Sequence, residues 1–193
     1  VLNSDDPIVR SLVLQQGFVN AHASGDLHYW PKAGRVKTVH MPATATVLLG
    51  LGGPQGHIWR VAVGDRTGAI SLLTLPELNL VESWAPHQAP VTALFAESSD
   101  TGEMRLISAD SDGDVRIVGA DLPREGRLLR RLGERITAIR AESNRLTLMC
   151  GWQRRVFSRV GEQIATPVAS KPQPEVKTRI PVVLTRTTTP AQA

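Results

Sequence analysis

A unit of roughly forty-five residues recurs along this chain, and that period limits the fold more than any other feature. The segment GFVNAHASGDLHYW (17–30) aligns without a gap on RLISADSDGDVRIV (105–118). Asn20 falls under Ser108, Ser24 under Asp112, Gly25 under Gly113 and Trp30 under Val118. Turn positions repeat at Gly25, Gly68, Gly113 and about Arg154, at intervals of 43, 45 and about 41 residues. A chain of this kind is expected to stack similar units, each too small to bury its own core.

The third unit is the most regular. His87 precedes VTALFA (91–96), a polar loop with Gly102 follows, and MRLISA (104–109) comes next. A turn of Asp110, Ser111, Asp112 and Gly113 leads into DVRIV (114–118), and GRLLRRLG (126–133) supplies a fourth strand. Gly113 suits a turn position with positive φ. The first unit reads as IVRSLVL (8–14), the aligned segment, and RVKTVH (35–40). In the second, HMPATATV aligns with HQAPVTAL and sets His40 under His87. Its strands are ATVLLGL (45–51), HIWRVAVG (57–64), AISLLTL (69–75) and LNLVESW (78–84), with Thr67 at the place of Asp112. The fourth unit holds RITAIRA (135–141), RLTLMCG (145–151), QRRVFSRV (153–160) and GEQIATPV (161–168); Trp152 stands in its turn, and the histidine place is lost near Gly133. Short runs with period-2 alternation, bounded by turn residues, predict antiparallel strands, and no window has sustained helical spacing with caps. The fold is expected to be all-β, about four four-stranded antiparallel sheets.

The third unit resembles one blade of a WD-repeat β-propeller. In that family a histidine precedes the first strand, a Ser or Thr sits in the second, an Asp in the following turn and usually a Trp in the third. His87, Ser108 and Asp112 fall at those places; the tryptophan place is Val118, and Gly119 and Ala120 stand where the family's Trp-Asp pair would be. The first unit keeps the aromatic, Trp30, and loses the Asp. The resemblance covers roughly 8–168, with blades at about 8–40, 41–84, 87–133 and 134–168, and it implies structural hydrogen bonding by His40, His87, Ser108, Asp112 and Trp30. Propellers of this family usually have seven blades, and the fourth unit here supplies its own outer strand. The chain is therefore expected to be an open part of a larger propeller, completed by a longer chain or a second copy, with apolar terminal faces that self-associate.

From Ala169 the composition changes: SKPQPEVKTRIPVVLTRTTTPAQA holds four prolines and no aromatic. Residues 169–193 are expected to be a disordered Pro/Thr-rich tail, with RIPVVLTR (179–186) either linker or a strand added at a sheet edge. The single cysteine, Cys150, excludes an intrachain disulfide and a cysteine-based metal site. Apolar runs such as VLLGL (47–51) are too short to span a bilayer. A cytoplasmic protein is expected, or a nuclear one in a eukaryote.

Charge is uneven. Residues 1–115 carry 7 basic and 12 acidic side chains, whereas 116–159 carry 11 arginines and 4 acids. Arg130, Arg131, Arg154 and Arg155 form candidate contacts for nucleic acid or another acidic ligand, with Trp152 and Phe157 nearby for stacking; a solvated arginine-rich edge is the simpler explanation. Catalytic signatures are weak. His22 and His28, in neighbouring strands, could in principle serve a metal or a base, but the chain has no Gly-x-Ser-x-Gly, His-Glu-x-x-His or phosphate loop. GLGGPQG (50–56) precedes no helix and reads as a hairpin loop. The alternating Asp110, Asp112 and Asp114 lack the twelfth-position Glu of a calcium loop. The expectation is a protein-interaction scaffold without catalytic residues, cofactor or metal; an enzyme site on a propeller axis is the remaining alternative.

Overall fold

The structure, a computed structural model, describes residues 6–52, 58–98, 103–142, 145–158 and 163–165. Four antiparallel sheets of four strands follow one another, each an up-and-down meander. Blade one holds β1 (Ile8–Leu14), β2 (Gly17–His22), β3 (Asp26–Pro31) and β4 (Lys37–His40). Blade two holds β5 (Ala45–Gly52), β6 (Ile58–Asp65), β7 (Ile70–Thr74) and β8 (Leu80–Trp84). In blade three stand β9 (Val91–Ser98), β10 (Met104–Asp110), β11 (Asp114–Gly119) and β12 (Arg127–Arg131). Blade four has β13 (Ala138–Glu142), β14 (Arg145–Cys150), β15 (Gln153–Ser158) and β16 (Gln163–Ala165). The proposed tail, the loop around Gly102 and most of GLGGPQG lie outside the described residues.

Alternation along each strand gives a sheet two faces, and consecutive blades stack face to face. Three apolar cores result. Leu14, Val19, Leu27 and Tyr29 of blade one meet Val61, Val63 and Leu73 of blade two. Ala62, Ile70, Leu72 and Trp84 meet Leu94, Leu106 and Val118 of blade three. Ile107, Val115 and Ile117 meet Leu146, Leu148, Cys150 and Phe157 of blade four. These cores are built mainly from aliphatic side chains, which is how a chain with 4% aromatics sustains the fold. Each fully buried Leu, Ile or Val contributes about 1.5–3 kcal/mol.

Polar links lock the blades at a fixed offset. The first strands of successive blades pack side by side, β1 on β5, β5 on β9 and β9 on β13. Arg10 Nε donates to the Thr46 carbonyl (2.5 Å), Thr46 Oγ1 to that of Val91 (2.5 Å) and Thr92 Oγ1 to that of Ile136 (2.5 Å). Within each blade, at the turn end, the Met41, His87 and Leu132 amides, which follow the fourth strands, donate to the carbonyls of Gly25, Gly68 and Gly113 at 2.9, 3.3 and 2.9 Å. The three glycines have φ of 99°, 92° and 90°, a conformation that favours glycine. Among the described residues, no sheet pairs β1 with β16, and β1 and β13 do not pack as the three internal neighbours do. The array is open.

Candidate functional site

Among the described residues, the β10–β11 turn carries a highly connected buried polar cluster. Asp110 ends β10, and its Oδ1 accepts from the amides of Asp112 (3.0 Å) and Asp114 (2.9 Å). Its Oδ2 accepts from His87 Nδ1 at 3.0 Å, and His87 Nε2 meets Ser108 Oγ at 2.8 Å. Because a carboxylate only accepts, Nδ1 carries the proton and Nε2 accepts from the serine hydroxyl. Burial holds the His87 pKa below its ordinary value despite the nearby carboxylate.

Ser108, His87 and Asp110 have the connectivity of a hydrolytic triad. Their setting differs: Ser108 is 0% exposed, His87 6% and Asp110 3%, so the hydroxyl meets no solvent. The cluster ties the segment between blades two and three to the β10–β11 turn.

Asp110, not the Asp112 that the resemblance implies, fills this role. Asp112 donates its amide to Asp110, and its own carboxylate has only Ser111 Oγ at 3.4 Å. The same correction holds in blade two, where Thr67 was placed at the turn position. Asp65 occupies it: its Oδ1 accepts from Thr67 N (2.8 Å), Thr67 Oγ1 (2.7 Å) and Ala69 N (3.0 Å). The missed signal was an Asp three residues before each turn glycine, in Asp65-Arg66-Thr67-Gly68 and Asp110-Ser111-Asp112-Gly113. In blade one His22 takes that place, and Ser24 closes the turn by bonding to Asp6 (Oγ to Oδ2, 2.6 Å).

His40 does not reproduce His87. Met41 makes the bond to the turn glycine that His87 makes in the next blade, so the equivalence is shifted by one residue. The His40 ring turns outward, and its Nδ1 donates to Asp26 Oδ1 at 2.7 Å with the side chain 69% exposed. Trp30 joins no such cluster either: its ring stacks on Phe18, centroids 5.9 Å apart. His22 and His28 meet edge to face at 4.6 Å. Burial, with His22 beside it, lowers the His28 pKa. Among the described residues no group of three or more His, Cys, Asp or Glu could hold a metal ion, and no helix is long and apolar enough to cross a membrane.

The four candidate arginines do not converge. Arg131 is bidentate to Asp114 (2.7 and 2.9 Å), which holds that carboxyl below the usual range. Arg155 pairs with Glu134, and the Arg130 guanidinium lies 5.4 Å from the Phe157 ring centre. Arg154 points to the opposite face of blade four from Arg155, with Arg140 and Arg145. Trp152, a candidate for base stacking, is 100% exposed in the β14–β15 turn.

This repeated meander, stacked face to face, is a β-propeller arrangement. No protein-family model matches the chain. No curated protein matches it by sequence. Solved structures are similar in fold. The computationally designed Ika8 protein superposes with a TM-score of 0.64 at 17% identity, covering 88% of this chain and 51% of that one. The designed Ika4 protein gives 0.62 at 18% identity, covering 82% and 94%. A chain of the Mitotic Checkpoint Complex gives 0.66 at 16% identity, covering 87% and 53%. This chain thus spans about half the length of the Ika8 and checkpoint-complex chains and nearly all of Ika4.

Proposed function

We propose that this chain is a non-catalytic protein-interaction scaffold of the WD-repeat kind, acting in the cytoplasm. The buried Ser108–His87–Asp110 cluster carries the reading: this arrangement, which has hydrolytic connectivity, ties the segment between blades two and three to the β10–β11 turn, where the hydroxyl cannot meet a substrate. The packed blades form a frame that displays loops, and binding residues concentrate on loops set on such a frame. A similar structure belongs to a protein assembly, the Mitotic Checkpoint Complex, which supports the reading by fold alone. Nucleic acid is the weaker alternative, because Arg130, Arg131 and Arg155 are already engaged within the protein.

Ser108→Ala tests the reading. The expected result is a lower melting temperature and no change in ester hydrolysis, which stays at the uncatalysed background for both proteins. Turnover by the parent that disappears in Ser108→Ala at an unchanged melting temperature overturns it.

A further inference from the structure

The two ends of the array differ from its interior and from each other. Within the chain, the face a blade turns to its successor is apolar. Across the central row it reads Leu49, Ala62, Leu72 in blade two and Phe95, Ile107, Ile117 in blade three. The same register positions in blade four read Arg140, Thr147, Val156. One row nearer the turn, Ile70 and Val115 give way to Arg154. The terminal face is thus not the apolar surface the sequence led one to expect. An apolar fifth blade would bury Arg140, Arg145 and Arg154 with only Glu142 among the described carboxylates of that face, at several kcal/mol per unpaired ion.

Blade one presents the opposite character. On its outer face Ser11 Oγ donates to Asn20 Oδ1 (2.8 Å) and Thr38 Oγ1 meets His28 Nδ1 (3.1 Å). The adjoining row is Val13, Phe18 and Trp30, with Val13 84% and Phe18 41% exposed. The carboxylates of Asp6 and Asp26 border this face at the turn end, beside His22 and His40.

We propose that the outer face of blade four docks the outer face of blade one of a second copy, so that copies join head to tail. The proposal rests on the scaffold reading and names its partner. It reuses the geometry of the three internal junctions, in each of which one blade's forward face receives the next blade's rear face. In that register Phe18 and Trp30 take the places that Leu146 and Phe157 hold against blade three. That internal junction already sets an arginine of the preceding blade, Arg130, over an aromatic ring of the next, Phe157. Arg140, in the central row, is the arginine available to Phe18 and Trp30 across the new junction, an arrangement favoured by cation–π attraction, whereas Arg154, one row nearer the turn, lies at the end where Asp6 and Asp26 border blade one. Charge agrees: three arginines against Glu142 on one side, two aspartates on the other. Two copies of the arginine face would repel, which disfavours head-to-head pairing. A head-to-tail contact generates a ring when its rotation closes.

Light scattering on the full chain over roughly 1–100 µM tests this. The parent is expected at a multiple of the 20.9-kDa chain mass and to dissociate as salt is raised. Arg140→Glu with Arg154→Glu disables one face, and Val13→Lys with Phe18→Lys the other; Val13→Lys alone serves if the pair does not fold by circular dichroism. Each variant alone is expected at the single-chain mass, and an equimolar mixture is expected to form a one-to-one complex through its one intact junction. A monomeric parent, a variant that self-associates like the parent, or a mixture that stays monomeric overturns the proposal. A monomeric parent whose arginine face binds polyaspartate assigns that face to an acidic protein instead, and the scaffold reading then survives without the second copy.

Discussion

Asp110 divides its carboxylate between two tasks. One oxygen closes the β10–β11 turn and the other holds His87 in a single tautomer. Asp110→Ala leaves two turn amides and a buried imidazole without their acceptor, a loss of about 1–3 kcal/mol in urea denaturation. Asp112→Ala removes only a weak contact on an exposed turn and is expected to stay within about 0.5 kcal/mol of the parent. Equal effects from the two substitutions would count against this division of labour. The ambiguity in the sequence has a physical origin. Asp110 and Asp112 lie two apart, a spacing compatible with either one capping the turn, and burial chose the residue at the strand end. His40 and Met41 illustrate the same uncertainty, since a one-residue shift sends a side chain to the other face.

The turns that join second to third strands set how closely blades can approach. A Cβ at Gly113 would stand 2.6 Å from the Glu134 carbonyl oxygen, in the linker to blade four, at a φ of 90°. Gly113→Ala therefore combines backbone strain with a clash against the next blade's main chain, and about 3 kcal/mol of destabilisation is expected. Gly133 is a useful contrast: φ is 66° but nothing lies within 4 Å of an added Cβ. Gly133→Ala should pay only the left-handed penalty, about 1–2 kcal/mol. Thermal melts of the two variants decide, and a Gly113→Ala protein no less stable than Gly133→Ala would contradict the junction described here. The period of these glycines was legible in the sequence; their contact with the neighbouring blade's backbone was not.

An open array is held from both sides at its middle and from one side at its ends. Cys150 reports on one end, because it lies 6% exposed in the core between blades three and four. Burial, with Glu134 beside it, pushes its thiol pKa up. In the native protein its alkylation is expected to run about 100-fold slower than that of a free thiol, if opening costs about 3 kcal/mol. In repeat proteins the terminal unit has one stabilising interface where an inner unit has two. The rate is therefore expected to rise in urea concentrations below the main unfolding transition. Iodoacetamide labelling followed by mass spectrometry measures it, and labelling that tracks global unfolding alone would mean that blade four does not open separately.

All-β class, four units and their strand boundaries to within a few residues could be read from period-2 alternation and a repeating turn glycine. These signals are local: backbone sterics and the alternation of strand faces act over a handful of neighbours, so they are written into short stretches of chain. Which polar residue of each unit enters the core was settled only by packing, since Asp110 rather than Asp112 and Met41 rather than His40 depend on how one blade presses on the next. The arginines tell the same story. Their concentration after residue 115 is plain in the sequence, and alternation alone sends the adjacent Arg154 and Arg155 to opposite faces, but which of the two meets Glu134 and which is left on the outer face was decided by packing. Which face of a strand stays exposed depends on which face a neighbouring blade covers, and that exists only once the sheets have stacked.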